Sequence, residues 1–230
     1  KAQNKWQKTT ALNKGQILYR IAEILEGRKD QFINELILTG SSKFQAKKEV
    51  EQSIDRMIYY AGWSDKFGQL FSSVNAVASN HFNFSSLQAV GVVNIIAPSN
   101  APLLGLVSMI APVIVGGNTC VLLASELNPM ISISFAEVLN TADVPAGVVN
   151  ILSGKTDELL HHFSTHMDVN TIIYCGDNEE QIQLLEQLSV ANLKRIQIYK
   201  RNKWDDKDSQ SPYFIEKCQE LKTTWHPTEV

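Results

Sequence analysis

The stretch that most limits what this chain can fold into runs from Val90 to Leu123, VGVVNIIAPSNAPLLGLVSMIAPVIVGGNTCVLL. Its opening run, Val92–Ile96, is rich in β-branched residues, as a strand covered on both faces must be. Pro98 closes that run. Pro102 suits the first turn of a helix, where no N–H is needed. Leu103–Val115 is apolar nearly all round, which predicts a helix buried on every side rather than an amphipathic surface helix. Gly116-Gly117 ends it, and Thr119–Leu123 begins a second β-rich run. Strand, buried helix and strand together make a βαβ unit, the building block of a parallel sheet.

The flanking sequence continues the alternation. Upstream, Asn13–Glu26 carries Ile17, Leu18, Ile21 and Leu25 on one helical face, with Asn13 as the expected cap. Asp30–Leu38 repeats the pattern, and a longer helix is expected from Lys43 to Lys66, where Trp63 reads as packing beneath the sheet. Leu70–Ala89 changes character: Phe82 and Phe84 alternate with polar neighbours, the mark of exposed antiparallel strands. Downstream, Asn128-Pro129 opens a helix as cap and first residue. Strands are expected at Asp143–Leu152, Thr171–Cys175 and Arg195–Tyr199, with helices at Thr156–Ser164 and Asn178–Ser189. The fold class is therefore α/β: a doubly wound, Rossmann-like, mostly parallel sheet with N-terminal helices, one strand near each of residues 93, 121, 150, 173 and 197. Residues 1–69 and 90–200 form the core, 201–210 a polar linker, and 70–89 with 211–230 a small antiparallel sheet. Phe82–Ser86 and Leu221–Trp225 are expected to pair within it.

Twenty-one basic and 24 acidic residues leave a net charge of −3, which gives no electrostatic reason to expect nucleic acid or an acidic membrane as partner. The longest apolar segment is interrupted by Pro112 and by the 98–102 turn, so it reads as core and not as a membrane span. Three cysteines without paired spacing point to a reducing, cytoplasmic setting, and the polar Lys1–Thr10 does not read as a signal peptide. Cys120 falls in a core strand. Cys175 is expected at a strand mouth, open to solvent, and Cys218 as an exposed thiol in the tail. His161, His162 and His166 cluster without an evident third metal ligand, so no metal site is expected.

Several motifs resemble those of aldehyde dehydrogenases. They include Tyr59-Tyr60-Ala61-Gly62-Trp63-Ser64-Asp65-Lys66, Pro98-Ser99-Asn100-Ala101-Pro102, Gly117-Asn118-Thr119, Leu123-Ala124-Ser125-Glu126 and the DVPAGVVNIL run. The resemblance implies an NAD-binding-like fold and an oligomerisation sheet. It also implies that the half bearing the nucleophilic cysteine is missing, because Lys194–Tyr199 matches the strand that precedes it and the chain then passes to an oligomerisation strand. Tyr199 stands where the base glutamate would. Asn192-Leu193-Lys194 and Lys222–Pro227 resemble the C-terminal region of family-16 aldehyde dehydrogenases.

By the same resemblance the vestiges of a cofactor site are Pro98, Asn100, Glu126, Gly154 and Gly176. Leu123 replaces the ribose-binding lysine, Gly154 lacks a second glycine after it, and Asp177 replaces a serine near the expected pyrophosphate. No catalytic residue and no tightly bound NAD are expected. The implied role is a structural domain that joins another copy, or a sister aldehyde dehydrogenase domain, through its C-terminal strand. The alternatives are a dehydrogenase fragment completed by another domain and a nucleotide-binding regulatory module.

Overall fold

In the computed structural model, which describes residues 1–228, the chain forms two sheets. The larger has five parallel strands in the order β5-β4-β3-β6-β7: β3 (Val92–Ile96), β4 (Thr119–Leu123), β5 (Val149–Leu152), β6 (Val169–Tyr174) and β7 (Arg195–Ile198). The chain runs outward from β3 through β4 to β5, then returns to lay β6 on the other side of β3. That reversal sets a switch point beyond the carboxyl ends of β3 and β6, where doubly wound folds place their sites.

Helices cover both faces. On one lie α2 (Ala11–Gly27), α4 (Lys43–Trp63), α6 (Leu104–Val115) and α7 (Pro129–Thr141), with α3 (Lys29–Leu38) packed against α4 and α7. On the other lie α8 (Thr156–Thr165) and α9 (Glu179–Ser189) over Ile96, Leu123, Ile172 and Tyr174. The expectation for α6 holds: all of its residues are buried. It begins two residues after Pro102, and its first N–H groups are met from outside, as Glu49 Oε1 on α4 accepts from Leu103 N (2.9 Å) and Leu104 N (3.2 Å). Burial pushes the Glu49 carboxyl above its ordinary range, against the pull of those two bonds.

Several local readings are corrected. The cap of α2 is Thr10, whose hydroxyl accepts from Asn13 N; Asn13 lies inside the helix. Asn128 and Pro129 stand at the cap and first positions of α7 as expected, but the Asn128 side chain makes no capping bond. The tail does not begin extended: α10 (Tyr213–Glu216) precedes β8 (Gln219–Pro227). Trp63 is partly buried, packed beside Tyr59 on the helical layer.

The smaller sheet holds β1 (Ser73–Asn75), β2 (His81–Ala89) and β8 in the order β1-β2-β8, all antiparallel. The expected pairing of the two alternating segments is realised, with Phe82 opposite His226 and Ser86 opposite Lys222. Residues 229–230 of the segment assigned to this sheet lie outside the described residues. Asn118 ties the two sheets together. Fully buried, it accepts from Gly91 N at Oδ1 and donates from Nδ2 to Cys218 O, both at 2.9 Å. That side chain explains the Gly-Asn-Thr motif as a structural joint: Gly117 turns at φ +87° so that Asn118 can point inward.

Candidate functional site

The crevice at the switch point has a volume of about 370 Å³ and is bordered by Ser99, Asn100, Cys175, Gly176, Asp177 and Tyr199. Over it folds the segment 201–210. Its polar composition predicts a mere spacer, yet Trp204 within it is 1% exposed, one of the largest buried side chains in the molecule. Space for the indole comes from Gly105 in the first turn of α6. A Cβ there would stand 2.3 Å from Pro98 Cγ and 3.2 Å from Trp204 Nε1. Trp204 Nε1–H donates to Asn100 Oδ1 (3.3 Å), and Asn100 Nδ2 donates to Asn202 O (2.9 Å). Both ends of the exposed Asn100 amide are thus engaged by this segment. Lys48 on α4 pairs with Asp205 at 2.9 Å and anchors the same segment.

The other residues expected as traces of a cofactor site also make contacts within the chain. Glu126, exposed, receives the N–H of Thr156 at 2.6 Å and so caps α8; that bond holds its carboxyl below the ordinary range. The helix start that a phosphate would need is therefore already met by a carboxylate. Gly154 is exposed, but a Cβ on it would lie 3.0 Å from Leu159 Cδ1, which leans across the approach to α8. Leu123 is fully buried in the layer under α8 and α9. Pro98 is buried beside Gly105, and Gly176 sits against the Tyr174 ring. The residues present do not fit a dinucleotide in the manner of the family.

Asp177 departs from the sequence reading in one respect. Its Oδ2 accepts from Arg201 Nε at 2.8 Å, and that bond with the guanidinium charge holds its carboxyl below the ordinary range. The pair is exposed, and it removes most of the repulsion that a lone carboxylate would exert on an anion. What opposes a ligand here is the set of bonds the lining already makes within the chain, more than charge.

Tyr199, at the base position, is packed and not poised. Its ring stacks on Phe214 (5.6 Å between centroids, 19°) and lies 6.1 Å from Trp204, while Lys217 Nζ sits 5.2 Å above it. Burial drives its phenol pKa upward. The thiol expectations fail in two places: Cys175 and Cys218 are both buried, as Cys120 is. Desolvation pushes Cys218 up to about 11 and Cys120 to about 12, and raises Cys175 further in the same direction. None has the thiolate character of a nucleophile. His161 and His162 meet edge to face at 5.8 Å, and His166 Nδ1 accepts from Asp168 N. Among the described residues no three His, Cys, Asp or Glu side chains converge as a metal site, and no helix is long and apolar enough to cross a membrane.

Sequence reasoning missed Trp204 and Glu49. For Trp204 a signal existed, a lone indole within a run of charges. For Glu49 there was none, since its contact spans α4 to α6.

The sequence pattern of the aldehyde dehydrogenase family matches residues 1–199. Cytosolic 10-formyltetrahydrofolate dehydrogenase of Xenopus tropicalis is 32% identical over 196 residues, covering 84% of this chain and 22% of that protein. Omega-crystallin of Enteroctopus dofleini is 30% identical over 196 residues, covering 84% and 38%. Among solved structures, a putative aldehyde dehydrogenase from Burkholderia cenocepacia superposes with a TM-score of 0.80 at 28% identity, covering 86% of this chain and 40% of that one. PnpE in complex with nicotinamide adenine dinucleotide gives 0.80 at 26% identity, covering 86% and 40%. The chain thus spans about a fifth of the length of the first curated relatives it matches. With the family pattern covering all but the final segment, the chain belongs to the aldehyde dehydrogenase family.

Proposed function

We propose that this chain is a non-catalytic aldehyde-dehydrogenase-like domain of the kind found at the C-terminus of family-16 aldehyde dehydrogenases. Its role is structural and assembling, within a larger protein whose NAD-linked aldehyde oxidation is carried by another domain. One observation carries the reading: Trp204, from the segment that stands where a catalytic half would be inserted, is buried against Gly105 and Tyr199 and binds Asn100 at the border of the switch-point crevice. An oxyanion donor works only when it is free to meet charge as it develops, and this one is engaged at both ends. The packed, high-pKa Tyr199 and three buried thiols provide neither base nor nucleophile. Free thiols in the core suit a reducing compartment such as the cytoplasm.

A second reading, a nucleotide-binding regulatory module, draws support from the Arg201–Asp177 pair, which leaves the crevice less hostile to anions than its sequence implies. Calorimetric titration with NAD separates the two. The structural reading expects a Kd no tighter than about a millimolar, or about 4 kcal/mol of binding, and no NAD-dependent oxidation of aldehydes by the chain. Micromolar binding would overturn it in favour of the regulatory module.

A further inference from the structure

Lys48, Gln52, Arg56 and Tyr60 stand four residues apart on α4, which sets them along one face of the helix. Each meets the segment that follows β7. Lys48 pairs with Asp205, and Gln52 Nε2 donates to Asp205 O (3.4 Å). Arg56 Nε donates to Gln210 Oε1 (3.4 Å), and Tyr60 Oη donates to Ser211 O (3.3 Å). The segment thus lies along α4, and between the two is a cleft of about 460 Å³, a volume in the range of small-molecule sites. It shares no lining residue with the switch-point crevice.

Arg56 lines this cleft although it is only 3% exposed. A guanidinium carries five N–H donors. The chain supplies acceptors to two of its nitrogens, Gln210 Oε1 to Nε and Ser108 Oγ to Nη1, and none to Nη2. Among the described residues Arg56 forms no ion pair. Glu49, on the same face of α4, is turned to the N–H groups of Leu103 and Leu104. A buried charge ordinarily has a countercharge and a full set of hydrogen bonds, and Arg56 lacks both. Burial accordingly pulls its pKa below the ordinary value.

The rim has the opposite sign. Asp55, Asp205, Asp206 and Lys207 border the cleft, and all four are exposed. Lys48 compensates Asp205, whereas Asp55, Asp206 and Lys207 form no ion pair among the described residues. Floor and rim balance in total charge, but the cation lies below and the net negative charge above. A simple anion would be drawn to Arg56 and opposed at the rim, and a simple cation the reverse. A molecule that carries a carboxylate beside an ammonium is favoured at both levels. Asp55 adjoins Arg56 in sequence, which suits a compact ligand whose own charges are close together.

We propose that the cleft between α4 and the 205–210 segment binds a free α-amino acid, with its carboxylate on the Arg56 guanidinium and its ammonium toward Asp55 and Asp206. The site stands apart from the switch-point crevice and does not depend on the non-catalytic reading.

Titration of the full chain at neutral pH tests it, followed by nuclear magnetic resonance at the Arg56 Nε–H and the amides of Asp205–Gln210. The probes are L-alanine and two analogues that each keep one of its charges, propionate and L-alaninamide. Alanine is expected to saturate with a Kd of about a millimolar or tighter, and each analogue to bind at least about tenfold more weakly. Changing both Asp55→Asn and Asp206→Asn, at exposed positions, should bring alanine to the level of propionate. Arg56→Gln should abolish the response to alanine; should that buried change unfold the chain, the rim variant still decides. Propionate or inorganic phosphate binding as tightly as alanine overturns the proposal. So does an alanine affinity unchanged in the rim variant, or no saturation by alanine up to about 50 mM. None of these results bears on the non-catalytic reading, which falls only if the chain binds NAD at micromolar levels or oxidises aldehydes.

Discussion

Replacing Trp204 with alanine removes the largest side chain of the connector from a site where it is 1% exposed. A buried indole covers on the order of 200 Å² of apolar surface, worth about 5 kcal/mol at 25 cal/mol per Å². Measured losses for such truncations run at about 3–5 kcal/mol, because surroundings relax only partly into the cavity. Here relaxation is hindered on two sides: Pro98 and the backbone of α6 at Gly105 are fixed, and Tyr199 is held against Phe214 and Lys217. The Asn100 amide oxygen loses a donor but is exposed and turns to water, so it adds little. With a urea slope of about 3 kcal/mol per molar, the midpoint should fall by about 1–1.5 M. Far-ultraviolet circular dichroism follows the transition directly. Trp225→Ala is the control: 57% exposed, it should cost less than about 1 kcal/mol. A Trp204→Ala midpoint within the error of the parent would show that 201–210 is a detachable spacer. Asn100 would then not depend on the connector, and the argument that this segment holds it in a structural role would collapse.

Two further outcomes follow from single side chains. Glu126→Ala should lower stability by about 0.5–1 kcal/mol at pH 7 through loss of the α8 cap. Because hydrogen bonding to Thr156 lowers the folded carboxyl from 4.5, that contribution is present above 4.5 and lost as pH falls through the folded value, so urea midpoints of variant and parent should converge as the pH is lowered through that range. The three thiols should be silent to Ellman's reagent in the native chain at pH 8 and all react in guanidinium; one fast native thiol would contradict the burial of Cys175 or Cys218. Since burial raises their pKa values from 9.0, the native state keeps protons that the unfolded chain releases. Stability should then decline above pH 9, by up to about 1.4 kcal/mol per pH unit for each thiol until its folded value is reached.

The architecture was legible because its determinants are local. A strand covered on both faces is mostly apolar, and Val92–Ile96 and Thr119–Leu123 carry that signal with only Asn94 and Thr119 as polar members. The two alternating segments of the small sheet announced their pairing by the same period-two logic. What escaped depends on contacts far apart in sequence. Trp204 and Asn100 are 104 residues apart, and Glu49 reaches Leu103 across 54. Composition gave the wrong sense for 201–210, because one buried indole outweighs its charged neighbours, which face solvent. Cys218 was misplaced for a related reason: the turn of α10 brings it under the core, where an extended tail would have left it outside. Gly105 offered a clue. A glycine inside an otherwise ideal buried helix weakens it by about 1 kcal/mol relative to alanine, and such a residue usually marks a close approach.

The same geometry says where this chain can still interact. An open doubly wound sheet exposes backbone and side-chain groups at its switch point, and those groups ordinarily meet a ligand. Here Asn100 meets Trp204 and Asn202, Asp177 meets Arg201, and the start of α8 meets Glu126. Each is satisfied from within the chain, so a ligand entering the crevice would have to replace bonds already made. At β8 the balance is reversed. Leu221, Thr223 and Trp225 present outward backbone donors and acceptors beside exposed apolar side chains, and a partner strand gains there without breaking anything internal. Among the described residues, the outward backbone groups without a partner strand therefore lie along β8, beside the exposed side chains of Leu221 and Trp225.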